Sequence, residues 1–259
     1  TEMGMARFLG AYRTPHVKCD AYSVFTNTAV SITYRSPGAT QLGWARESQF
    51  NIIAKKLGLD PIEFRLRNLL KRGEEPALVG SRPQDSDLPG DLRKLAEASG
   101  WKLPSKAGRG RGIAVLTHAA SASPPASAFA RLSTEGTLTV VCSGNEMGQG
   151  LHTAMRKIAS LEVGMPLESV EVSPVVDTSI NPYDSGTGGS RGTTITGLAV
   201  QMAARDVKEQ LLSIASAQLK KPASSIIIKD GKVLAGEDVY TVAEVLSEYF
   251  TAKVVQPAA

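Results

Sequence analysis

Residues 138–153 read LTVVCSGNEMGQGLHT, and the spacing of apolar positions changes within them. Leu138, Val140 and Cys142 alternate with a period of two, as a half-buried strand requires. After the glycine-rich loop Gly144–Gly150, the apolar residues Leu151, Ala154, Met155 and Ile158 recur at helical spacing. A strand that runs through glycines directly into a helix places flexible backbone at the positive end of a helix dipole. The same junction also serves as a tight strand-to-helix turn with no ligand, and both readings stand at this point.

Working outward toward the C-terminus, Val170 and Val172 suggest a strand, and SGTGGSRGTT at 185–194 opens a long helix from Thr193 to Leu219. Val200, Ala203, Ala204, Val207 and Leu211 form its apolar stripe. Toward the N-terminus, strands are expected over Phe129–Leu132 and Gly112–Leu116, and a short helix over about Asp91–Ala98. The polar, proline-bearing stretch Glu74–Pro89 reads as a linker. Before it, Phe50, Ile53, Ala54 and Leu57 mark a helix closed by Gly58 at its C′ position. Asp60, Pro61 and Glu63 then open a second helix as N-cap, first-turn proline and capping-box acid, with Ile62, Leu66, Leu69 and Leu70 along its buried stripe. The β-branched and aromatic segment Val17–Thr33 suggests further strands. Helices and strands alternate without a regular βαβ cadence, so the expected class is α+β, with two lobes of mixed sheets packed with helices. The lobes are expected at residues 1–104 and 105–259.

Composition narrows the function. A 259-residue chain with 42% hydrophobic and 21% charged residues can bury a real core. Its net charge of +4 comes with only 5% aromatic residues. The basic run KAGRGRG at 106–112 therefore lacks the stacking faces that single-stranded nucleic acid requires, and it reads as a solvated basic turn ahead of a phosphate contact. No nucleic-acid partner is expected. Cys19 and Cys142 are too few for a disulfide framework or a thiolate cage, which suggests a reducing, cytoplasmic setting. No apolar run is long enough for a membrane span, and no secretory leader opens the sequence. The opening TEMGMARFLGAY suggests a start in mid-element, and thus a fragment or processed subunit.

The loop at 185–194 carries the stronger anion signal. Gly186, Gly188 and Gly189 precede Arg191, whose guanidinium suits bidentate phosphate contact, and hydroxyls crowd around it at Ser185, Thr187, Ser190, Thr193 and Thr194. It is neither the P-loop nor the dinucleotide fingerprint: no Lys-Ser or Lys-Thr closes it, and Arg191 sits where the last glycine of G-x-G-x-x-G belongs. A merely flexible loop is the competing reading.

In this order, GAYRTPHVKCDAYSVFTNT, YRSPGATQLGWARES, LGLDPIEFRLRNLL, GNEMGQGLHT and DSGTGGSRGTTITGLAV resemble the molybdenum-binding large subunit of the xanthine dehydrogenase and aldehyde oxidase family, including its carbon monoxide and nicotinate dehydrogenase types. The resemblance covers nearly the whole chain. It implies molybdenum held by a pterin dithiolene, in a cytosine dinucleotide form, with iron–sulfur clusters and FAD on partner domains or subunits. It assigns Gly148, Gln149 and Gly150 to the pterin and phosphate region, and Gly188, Gly189, Ser190 and Arg191 to a loop beside the dithiolene and pyrophosphate. Arg35, with Ser36, Pro37, Gly38 and Ala39, would lie near metal and substrate. The implied reaction is oxidative hydroxylation of an aldehyde, a heteroaromatic ring or a similar small carbon centre. Two departures matter. Ser36 and Pro37 stand where the commonest family form has a Gly-Phe pair after the arginine, which argues against a purine-type substrate. The family's upstream glutamine loop and downstream glutamate have no counterpart in these 259 residues, so no catalytic residue and no direct metal ligand is assigned here, and the isolated chain is expected to be inactive. The remaining part of the molybdenum subunit is then itself a partner. A non-catalytic phosphate-binding or assembly module that reuses the same loops is the alternative.

Other acid–base candidates fare worse. His16, His118 and His152 lack metal-site spacing. Glu146 is a tempting base, but its place among loop glycines favours a structural bond to backbone. Asp177 and Asp184 suit turn fixation by side-chain-to-backbone bonds. Ser185 and Ser190 have no histidine at triad-like spacing.

Overall fold

The computed structural model describes residues 8–29, 36, 38–77, 82–117, 125–174 and 176–255. The chain divides into two compact units, residues 1–118 and 119–259.

In the first unit, helix α1 (Ala39–Lys56) leads into α2 (Pro61–Asn68), and α3 (Leu88–Ala98) follows the linker. The chain turns between α1 and α2 as the sequence suggests. Gly58 takes a left-handed φ of 65°, and the Asp60 carboxylate accepts the N–H groups of Ile62 and Glu63 at 2.8 and 3.2 Å. Asp60 also accepts the Trp101 indole N–H at 2.9 Å. Burial works against its charge, but the Trp101 bond and the two amides hold its carboxyl below the usual range. Glu63 does not complete a capping box; it accepts from Arg67 Nε at 2.8 Å, one helical turn on. Ala11, Tyr12, Ile62, Leu69 and Leu92 form the apolar core.

Beside that core runs a buried ionic network centred on Glu47. Its carboxylate accepts from Arg46 Nε at 3.0 Å, Arg65 Nε at 2.9 Å, the Tyr12 hydroxyl at 3.1 Å and the Val115 N–H at 3.0 Å. Arg46 continues to the carbonyls of Phe8 and Val115, each at 2.9 Å. Residues 112–116 therefore form no strand, contrary to the sequence pattern. The Val115 N–H and carbonyl bond instead to Glu47 and Arg46 of α1, and residues 105–117 fall within the first unit. No strand forms over residues 17–29 either, where Tyr22, Val24 and Phe25 are exposed; β-propensity expresses packing on a pleated face, and these side chains face solvent. Residues 30–33 of that expected strand lie outside the described residues. Arg111 of the basic run donates to the carbonyls of Gly100, Trp101 and Leu103, closing the turn after α3.

The second unit holds two three-stranded sheets. In the first, β1 (Ala128–Leu132) pairs antiparallel with β2 (Leu138–Cys142), which pairs parallel with β3 (Val170–Val172). Helix α4 (Leu151–Val163) and the N-terminal half of α5 (Gly197–Leu219) cover it. Leu138, Val140 and Cys142 meet Met155, Ala159, Val200 and Ala204 in one fully buried cluster. Farther along α5, Leu211 and Ala215 join a second core with the antiparallel meander β4 (Ile226–Lys229), β5 (Lys232–Ala235), β6 (Asp238–Thr241) and helix α6 (Val242–Val255). One 23-residue helix thus spans both cores of this unit, and the class is α+β.

Candidate functional site

The two glycine loops meet in the second unit, at the N-terminal ends of α4 and α5. Ser143, at the end of β2, donates its hydroxyl to the Pro182 carbonyl, and Asn181 Nδ2 donates to the Cys142 carbonyl at 2.9 Å. These bonds tie the root of the first loop to the root of the second. Leu151, the first residue of α4, packs between them: a Cβ on Gly144 would lie 2.4 Å from its side chain, and one on Gly192 3.0 Å from it. A side chain at either place would have to push the Leu151 methyls aside, because the two backbones close on one leucine.

Within the first loop, Gly148 and Gly150 take φ of 85° and 79°, conformations that favour glycine. The Glu146 carboxylate accepts the N–H groups of Gly148, Gly150 and His152 at 2.9, 3.0 and 3.1 Å. Those bonds, His152's first and then Gly150's, hold its carboxyl below the usual range. Gln149 folds back on the loop: its Oε1 accepts from the Met147 N–H at 2.5 Å and its Nε2 donates to the Asn145 carbonyl at 2.7 Å. The structural role expected of Glu146 is present. The free amides expected of the loop are not, since Glu146 already takes those of Gly148 and Gly150.

In the second loop, Gly188, Gly189 and Ser190 are exposed, and both Gly189 and Ser190 are left-handed, at φ of 62° and 59°. Arg191 is not the exposed loop arginine that the sequence suggests. It is 2% exposed, ion-paired with Asp184 and bonded to the Gly186 carbonyl at 2.9 Å. Asp184 also accepts from the Gly186 N–H and the Thr196 hydroxyl, each at 3.0 Å. Its expected turn-fixing bond is present, joined by an ion pair the sequence reading missed; Asp184 and Arg191 are seven residues apart, and only the loop's fold brings them together. Asp177 fixes its own turn through the Ser179 N–H and hydroxyl, at 2.8 and 2.6 Å. After Arg191 the chain makes a π-helical turn, Gly192–Thr196, before α5 begins. Such turns often accompany functional sites.

The remaining predicted positions lie elsewhere. Arg35 and Pro37 fall outside the described residues, as does His118. Ser36 and Gly38 have φ of 56° and 77° and lead into α1, where the Ala39 N–H bonds the Ser36 carbonyl at 2.9 Å. His152 Nε2 lies 3.2 Å from the Gly144 carbonyl, a contact local to the first loop. Among the described residues no group of three or more His, Cys, Asp and Glu side chains is placed to hold a metal ion.

Glycine faces of both loops are open. A Cβ added at Gly148, Gly150, Gly186 or Gly188 would meet nothing within 4 Å, so these surfaces face open space. The donors around them are a neutral amide, hydroxyls and backbone groups, a set suited to a large polar group carrying phosphate and ring nitrogens.

Comparison with known proteins gives a consistent result. Two families, each described as a molybdopterin cofactor-binding domain, match residues 89–258 and 1–69. The xanthine dehydrogenase molybdenum-binding subunit of Escherichia coli O157:H7 is 29% identical over 225 residues, covering 82% of this chain and 30% of that protein. The 6-hydroxypseudooxynicotine dehydrogenase complex subunit gamma of Paenarthrobacter nicotinovorans is 31% identical over 228 residues, covering 82% of this chain and 28% of that protein. In fold, quinoline 2-oxidoreductase from Pseudomonas putida 86 superposes with a TM-score of 0.76 at 24% identity, over 99% of this chain and 36% of that one. The chain thus spans about 30% of the length of the curated relatives it matches.

Proposed function

Because the chain belongs to the molybdopterin cofactor-binding family, we propose that its second unit grips a molybdenum–pterin cofactor between the two glycine loops, as part of a larger oxidoreductase. The observation that carries this is the junction itself: two loops with open glycine faces, tied root to root, at the N-termini of two packed helices. The donor set there fits the group. When bound, the cofactor supplies the redox and oxygen-transfer chemistry, and the protein supplies binding, orientation and exclusion of water.

The placement of each residue supports the part assigned to it. Gly148 and Gly150 keep one wall free of side chains, and Gln149 offers an amide that both donates and accepts. Gly188, Gly189 and Ser190 form the facing wall. Arg191, buried against Asp184, would act on the cofactor indirectly, by fixing the shape of that wall. Arg35 is proposed as a further cofactor contact, and residues 1–104 and 105–259 are proposed as a first and a second molybdopterin-binding lobe.

The finer reading is a cytosine dinucleotide form of the pterin, iron–sulfur clusters and FAD on partner domains or subunits, and oxidative hydroxylation of an aldehyde or heteroaromatic ring. Of this reading, the names of the relatives support the oxidoreductase part: they include subunits of xanthine and 6-hydroxypseudooxynicotine dehydrogenases and a quinoline oxidoreductase. A reducing, cytoplasmic setting is proposed from two free cysteines, one buried and one exposed. No helix among the described residues is long and apolar enough to cross a membrane.

The test is metal and pterin analysis of the chain purified with its natural partners. Molybdenum and pterin near one per chain are expected, falling several-fold in Gln149→Ala. Their absence from the intact complex would overturn the reading.

A further inference from the structure

We propose that Glu146 is the resident anion of the Gly144–Gly150 loop, its carboxylate filling the nest of backbone N–H groups so that the loop holds its ligand through the Gln149 side chain and not through main-chain amides. The inference deepens the function proposed above and rests on it only for what Gln149 binds.

A glycine loop entering a helix ordinarily offers its N–H groups to an outside anion. Here the donors at 148, 150 and 152 converge on one carboxylate, at 2.9, 3.0 and 3.1 Å. The left-handed Gly148 and Gly150 wrap the backbone around that group. The N-cap of helix α4 is Gly150, which has no side chain to cap it, so Glu146 also supplies the negative charge that a helix N-terminus favours. A phosphate arriving at these amides would have to displace a fixed carboxylate and would meet its charge at contact distance.

Gln149 has no such conflict. Its two bonds, to the Met147 N–H and the Asn145 carbonyl, are exposed and made by a neutral amide. Both can be exchanged for ligand bonds without leaving a charge unpaired. The chain thus separates two tasks that one loop often combines: Glu146 is a positioning residue that sets the backbone, and Gln149 is the contact.

The experiment uses the cofactor-free form of the intact protein that carries this chain, with inorganic phosphate as the probe. In Glu146→Ala the vacated nest binds phosphate, so the melting temperature rises saturably by several degrees in millimolar phosphate, with sulfate acting alike. Wild type and Glu146→Gln show no such rise, since each keeps a side chain in the nest. An equal rise in wild type, or none in Glu146→Ala, overturns the proposal. Should Glu146→Ala fail to fold, amide exchange on wild type decides: the 148, 150 and 152 amides keep the same protection with and without phosphate, and a change of tenfold or more overturns it. A purely structural cap would not create a new anion response. Because the phosphate readout involves no molybdenum, it stands or falls separately from the cofactor content on which the proposed function depends.

Discussion

At Asp184 and Arg191 two opposite charges are taken almost wholly out of water, at 1% and 3% side-chain exposure. Removing one partner of such a pair strands the other, at about 3–5 kcal/mol. Arg191→Ala leaves the Asp184 carboxylate with only the Gly186 N–H and the Thr196 hydroxyl. We therefore expect Arg191→Ala to lower stability by about 3–5 kcal/mol, with cofactor loss following from a disordered loop wall. Denaturant unfolding of the single and Asp184→Asn/Arg191→Ala double variants measures this, and a loss under about 1 kcal/mol would place Arg191 at an exposed position in solution. The same logic governs Glu47, whose carboxylate is ion-paired with the buried guanidiniums of both Arg46 and Arg65. Glu47→Gln should cost about as much, with Tyr12→Phe, which removes one hydroxyl bond to it, near 1 kcal/mol. Burial, and then the Glu47 charge, raise the Tyr12 phenol well above its ordinary range, so it remains a donor to that carboxylate across the neutral range. These networks were not legible in the sequence. The partners of Glu47 at Tyr12, Arg65 and Val115 lie too far along the chain for spacing to suggest. Asp60 was legible, because its partners are the two amides that follow it in the helix it caps.

Element junctions add constraints of their own. Gly164 closes α4 with φ of 88°, and a Cβ there would lie 2.2 Å from the Ile228 carbonyl on β4. Gly164→Ala brings both left-handed strain and a backbone clash, so a loss above about 1 kcal/mol is expected. Amide exchange should rise at the end of α4 and in the β4–β5 hairpin together, since the Gly231 N–H bonds the Gly164 carbonyl. A second junction is the Glu146 cap. Its carboxyl is depressed in the fold, so its contribution is full above the ordinary glutamate range, about 4.3, and is lost as pH falls through the lowered value. Exchange protection of the 148, 150 and 152 amides should hold from neutral pH down to that range and fail below it. Loss already at pH 6 would show that another group holds them. The elements that sequence reading found are those with local rules: α2 from its cap and proline, β2 from alternation, α5 from its apolar stripe. The hairpin of β4 and β5 carried a readable signal too. Asp230 and Gly231 take φ of 50° and 71°, as a two-residue Asp-Gly turn demands, but the unbroken run Ile226–Ile228 hides the alternation that marks a strand. Residues 17–29 and 112–116, where strands were expected, form none, for the opposite reason. Their residue types fit a sheet, and whether a sheet stands beside them is decided by the rest of the fold.

For the whole molecule, the relevant scale is the relatives, of whose length this chain matches about 30%. The proposed function gives the second unit a cofactor grip, and Glu146, the acid of its first glycine loop, is committed to the backbone. A general base contributes about two to four orders of magnitude in rate. The 259-residue chain alone is therefore expected to show no turnover of aldehydes or purines in dye-reduction assays at high protein concentration, and robust turnover would overturn that expectation. The surface bears on assembly. On the second unit, Leu161, Leu198 and Met202 stand exposed along α4 and α5, with Ile158 at the edge of the same groove, and Ile180, Tyr183 and Met147 are exposed around the loops. Glu162, Thr193, Thr194 and Gln201 complete the lining of that groove, and we propose that this mixed surface, next to the proposed cofactor grip, is covered by another part of the enzyme. The isolated chain should self-associate, and co-expression with the remaining part of the molybdenum subunit should replace that association with a defined complex. Light scattering with and without the remainder reads this directly. A chain that stays strictly monomeric and ignores the remainder would be an independent module, and its two glycine walls would then have to enclose their ligand unaided.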